Sequence, residues 1–143
     1  MQFSIGAAVF LVFVSHLAAQ HPSSQGLLGA WKVVKLERQD DLLTPIMKSA
    51  IAEGIEIQFT KAELVVKKKN EEMLRFKYIL HAEKEPSQID VIEGKTTYKG
   101  IFKIKDNRFF LCFSGRADGP RPKDFTTGSK MDFQTILVMK REK

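Results

Sequence analysis

The 143-residue sequence is poor in the residues from which reactive centres are usually built: it holds one cysteine and three histidines. A single thiol, Cys112, excludes any disulfide within the chain. It lies in Phe109-Phe110-Leu111-Cys112-Phe113, where burial among apolar neighbours is the plain reading and pairing with another chain the rival. Two of the histidines, His16 and His21, fall near the N-terminus, so His81 stands alone in the body of the chain, and we expect it at the surface. That count supplies neither a metal centre nor a Ser/His/Asp arrangement, and no glycine-rich stretch suits a phosphate. We therefore expect no enzyme, no metal and no cofactor. Glu71-Glu72 and the Glu83/Glu85 pair read as solvated charge.

Charge is missing altogether from the first nineteen residues, and Ile5 to Leu17 is apolar apart from Gly6, Ser15 and His16. Small residues follow at Ala18-Ala19, then the polar stretch from Gln20 to Gln25. This pattern predicts a signal peptide over 1–19, a flexible segment over 20–26 and one domain over 27–143, in an exported protein, periplasmic or secreted. The alternative is an uncleaved anchor, which needs about 20 apolar residues and would place Ser15-His16 in its last turn. The net charge of +6 lies wholly outside the leader and biases encounters toward anionic surfaces or polymers. Nucleic acid is not expected as a partner of an exported chain, nor is a stable membrane span after cleavage.

What the rest of the chain has is short β-rich runs separated by turns. They are Trp31 to Glu37, Ile55 to Phe59, Ala62 to Lys67, Met73 to His81, Ile89 to Ile92, Thr97 to Ile104, Phe109 to Ser114 and Phe133 to Met139. Leu42 to Glu53 differs: Leu43, Ile46, Met47, Ala50 and Ile51 recur at helical spacing, with Thr44 as N-cap, Pro45 in the first turn and Gly54 as a stop. Connections this short force antiparallel pairing. The prediction is an all-β fold, an eight-stranded antiparallel barrel with one short helix after the first strand. Rolling the sheet up buries its apolar face and removes both edges; a two-sheet sandwich is the alternative.

The segment Leu28-Gly29-Ala30-Trp31 resembles the Gly-x-Trp opening of lipocalins. Taken with Lys99-Gly100-Ile101-Phe102, Leu111-Cys112-Phe113, Arg121-Pro122-Lys123-Asp124-Phe125 and the closing Lys140-Arg141, the chain from Leu27 onward is similar to a lipocalin-like domain of uncharacterised function that is abundant in planctomycete bacteria. The resemblance implies a lipocalin-like barrel in a secreted or periplasmic setting, with Trp31 packed against Arg141. A Thr-Asp-Tyr motif typical of lipocalins is missing between the later strands.

Taking the apolar face of each strand as inward gives an interior of Trp31, Val33, Ile55, Ile57, Phe59, Leu64, Val66, Phe76, Tyr78, Leu80, Tyr98, Phe102, Ile104, Phe109, Leu111 and Phe113. An interior this aromatic either fills the barrel or shapes a pocket for one small molecule. The leading expectation is an exported binding module for a small hydrophobic ligand held by Phe59, Phe76, Tyr78, Tyr98, Phe102, Phe113 and Arg121, with the segment Gly115 to Lys130 near the mouth. The alternative is a structural or interaction protein, a filled barrel whose basic surface meets anionic envelope or matrix components. Arg121, between Pro120 and Pro122, is read either as an anion contact or as the partner of Asp118 or Asp124. Lys67-Lys68-Lys69 is read as a solubilising strand end neutralised by Glu71-Glu72, with a polyanion contact as the alternative.

Overall fold

A computed structural model describes residues 24–38, 49, 51–114, 116, 118–127 and 134–141. Eight antiparallel strands form a closed barrel in which each strand pairs with its neighbours in sequence and β8 returns to β1. They are β1 (Gly29–Glu37), β2 (Ile55–Phe59), β3 (Glu63–Lys68), β4 (Glu71–His81), β5 (Ser87–Glu93), β6 (Thr96–Lys105), β7 (Arg108–Ser114) and β8 (Gln134–Arg141). The predicted leader lies outside the described residues, as does most of the helix expected over Leu42 to Glu53. The last turn of that helix is described: Glu53 N–H donates to the Ser49 carbonyl at 2.9 Å, and Gly54 ends it at φ 83°.

Local chemistry sets the hairpins. The β3–β4 turn places Lys69 and Asn70 at φ 51° and 63°, and the β6–β7 turn places Asp106 and Asn107 at 53° and 60°. Two successive left-handed residues make the tight turn whose twist matches that of the strands it joins. Asn and Asp tolerate that region better than other side chains, which is why these sequences turn where they do.

All sixteen positions assigned to the interior belong to the main core or pack against it. Trp31, Phe59, Phe102 and Phe109 are fully buried and meet in a chain of tilted and edge-on contacts, with ring centroids 5.4–5.7 Å apart. This cluster fills the end of the barrel where β1 begins. Below it Ser24–Leu27 forms a single helical turn, α1. Leu27 is completely buried, and its carbonyl accepts the Trp31 Nε1 proton at 2.8 Å. Burial of that side chain and the indole bond order the turn.

Arg141, at the end of β8, completes this floor. Its guanidinium lies 4.2 Å over the Trp31 ring and donates to the carbonyls of Leu28 and Gly26. Gly29, at φ 111°, leaves the space this requires, since a Cβ there would stand 3.2 Å from Arg141 Nη1. Trp31→Ala should lower unfolding free energy by about 3–5 kcal/mol in urea titrations. Arg141→Ala should cost less, and Arg141→Lys should recover little of that loss, because an ammonium lacks the planar fork that stacks and bridges two carbonyls at once.

Candidate functional site

Above the aromatic floor the barrel is hollow. A cavity of about 280 Å³ runs up from Phe59 and Ile57 on β2, past Leu64 and Val66 on β3, Phe76 on β4, Val91 on β5, Leu111 and Phe113 on β7 and Leu137 on β8, to Tyr98 and Glu93 at the rim. Its wall is almost wholly hydrocarbon. The two polar groups of the lining lie together, with the Tyr98 hydroxyl 3.5 Å from a Glu93 carboxylate oxygen. Gly100 opens part of the space: a Cβ there would lie 2.9 Å from the Phe113 ring, so its absence lets that ring lie across β6.

The residues assigned to a ligand from sequence divide three ways. Phe59, Phe76, Tyr98 and Phe113 line the cavity. Tyr78 and Phe102 do not: Phe102 packs on Phe109, and Tyr78 meets Phe59 edge-on at 5.5 Å while its hydroxyl donates to the Thr60 carbonyl. Burial raises the Tyr78 pKa above its ordinary value. Arg121 stands outside the barrel altogether. Sequence reasoning missed Glu93, whose place inside follows from the alternation Ile89, Val91, Glu93 along β5.

The segment after β7 starts near the mouth, where Asp118 N–H donates to the Thr97 carbonyl at 3.1 Å and Asp118 Oδ1 accepts from Thr97 N–H at 3.0 Å. Its described part then continues down the outer wall of β5 to β8. Phe125 packs on a second core formed by Ile101, Cys112, Ile136 and Val138. Arg121 fixes the segment there by donating to the Gly100 carbonyl at 2.8 Å and to Asp90 Oδ1 at 2.6 Å. Asp90, rather than Asp118 or Asp124, is the ion partner, because only β5 presents a carboxylate under the loop; His81 Nε2 lies 3.4 Å from the other Asp90 oxygen. His81 itself is 38% exposed, consistent with a surface residue. At the opposite wall Lys68 pairs with Glu53, and Lys67 and Lys68 face Glu72 and Glu71 across β3–β4, so this lysine run is largely neutralised.

Cys112 is free and fully buried beneath the loop, 3.6 Å from the Asp124 carbonyl. Burial, and then the Asp124 charge, push its thiol up to about 11. Among the described residues no group of three His, Cys, Asp or Glu could hold a metal, and no helix is long and apolar enough to cross a membrane. Comparison with family models and with curated proteins gave no match.

The buried thiol gives a readout of the loop. Cys112 should resist alkylation at pH 8 and react rapidly in denaturant; Arg121→Ala, which frees 118–127 from Asp90, should speed native labelling at least tenfold. The thiol stays protonated in the fold after the unfolded thiol has ionised. Its contribution to stability is therefore complete below about pH 8.5 and lost as pH rises through about 11, and Cys112→Ala should flatten that decline.

Proposed function

We propose that this protein is an exported lipocalin-like carrier or binder of one small hydrophobic molecule. The observation that carries the reading is the hollow upper half of the barrel, since a chain selected only to fold would gain by filling a void of this size with side chains. The lining favours a compact apolar or aromatic ligand, held by shape and area, with a donor group at one end to meet Glu93 and Tyr98. Export rests on the apolar, uncharged leader, and kinship with the planctomycete lipocalin-like domain rests on the motifs around Trp31, Cys112, Arg121 and Arg141. We read the protein as a binder rather than an enzyme, because the cavity presents one carboxylate and one phenol and no nucleophile beside a base.

The neutral fluorophore N-phenyl-1-naphthylamine tests the reading without drawing on the basic surface. Purified protein should enhance its emission and saturate at one equivalent. Val91→Phe, which fills the cavity from a buried position, should weaken binding at least tenfold while leaving the melting temperature level or higher. No enhancement with the parent protein, or equal enhancement with Val91→Phe, would overturn the proposal.

A further inference from the structure

The strand registers assemble a row of like charges that no stretch of the sequence contains. Lys32 on β1 lies directly opposite Lys140 on β8, Lys140 opposite Arg108 on β7, and Arg108 opposite Lys105 on β6. All four are exposed and point away from the core. At a strand spacing of about 4.8 Å the four cations cover roughly 14 Å of outer wall. Like charges directly opposite one another destabilise a sheet; Lys32 faces Glu56 on its β2 side, and among the described residues none of the four forms an ion pair. Elsewhere on the barrel the cations Lys68, Arg75 and Arg121 are matched by carboxylates.

Beside the row runs an outer groove of about 470 Å³, which shares Arg108 and Lys140 with it and adds Lys35 and Lys103. Phe110 and Phe125 form its floor, and the Lys103 ammonium lies 5.1 and 4.5 Å over their rings. One carboxylate, Glu37, lies in the groove and is paired with Lys35.

We propose that this face of β1, β8, β7 and β6 binds an acidic polysaccharide, a linear chain carrying carboxylate or sulfate groups that lies along the groove with its anions on the cation row. The site is on the outside of the barrel and is independent of the cavity ligand. A membrane fits less well, because of the apolar groups that line the groove only Val34 is exposed, and the rings of Phe110 and Phe125 lie under Lys103, whereas insertion needs several apolar groups that protrude together. Single-stranded nucleic acid fits less well too, because the aromatic faces that would stack bases are covered by Lys103.

The test is titration of the full mature protein with fluorescent heparin at 50 mM salt, repeated with a twenty-nucleotide oligothymidylate and with vesicles of phosphatidylcholine and phosphatidylglycerol. Heparin should bind most tightly of the three and be released as salt rises. Arg108→Glu/Lys140→Glu should weaken heparin at least tenfold and raise the melting temperature slightly, since the pairs with Lys105 and Lys32 become attractive while positions 108 and 140 still face each other with like charge. Lys69→Glu/Lys95→Glu, which alters net charge equally in turns at the opposite end of the barrel, should change affinity less than threefold. Should the reversal fail to fold, Arg108→Ala/Lys140→Ala carries the comparison. Equal losses from the two sites, or tighter binding of vesicles or oligonucleotide, would overturn the proposal.

Discussion

The contact of Arg141 with Trp31 is the joint on which the barrel depends. Seven of the eight strand pairings join neighbours in sequence and are set locally by short turns or, between β1 and β2 and between β7 and β8, by longer connections. The eighth, β1 with β8, brings Trp31 opposite Arg141 and must be held against the entropy of closing nearly the whole chain. A stacked guanidinium, two carbonyls reached by one fork and an indole proton donated to Leu27 act at that seam. The same residues form the floor, so closing the barrel and setting the depth of its cavity are one event. Fully packed rings occupy the lower half, and the space above them begins at Phe59, the ring that the floor and the cavity share.

The wall is asymmetric. Strands β6 to β8 are buried on both faces over part of their length, inward in the main core and outward beneath Phe125. Arg121 locks the covering segment to β5 through a bond that is itself largely shielded from water, with both side chains about one-fifth exposed. On β4, by contrast, Met73, Leu74 and Ile79 are each about half exposed. The cavity is thus bounded by a thick, doubly packed wall on one side and a single layer on the other, and local opening should be easier on the β3–β4 side, where fewer apolar contacts resist it.

Period-two alternation made the interior legible because most strands bury one face only: a polar partner beside each apolar residue states which way it points. Signals failed where that contrast fades. Ile136-Leu137-Val138-Met139 is apolar throughout, so it announces a buried strand without saying that Leu137 and Met139 face in while Ile136 and Val138 face out. Val91-Ile92 likewise leaves two registers open, and only the fold shows that Ile89 and Val91 face in. The cavity itself was beyond reach, since volume depends on how rings tilt, and Phe102 and Tyr78 turn into neighbours where Phe76 and Phe113 turn toward space. Arg121 finds its carboxylate 31 residues away on a strand that only the folded loop approaches.

The cation row belongs to the same class of hidden feature, for it exists only through register. A slip of one residue between β7 and β8 would turn Lys140 away from Arg108 and disperse the charge, but it would also carry Leu137 and Met139 out of the core. The apolar interior therefore fixes the outer pattern and holds it in place despite its cost. Lys140 is the residue before Arg141, so the row crosses the seam that the Trp31 contact closes. An anion seated there would cancel repulsion across β1, β8 and β7 and stiffen the joint from outside. Glu93 and Tyr98 stand at the opposite end of the barrel, so such stiffening would act on the floor and leave the way into the cavity unaltered.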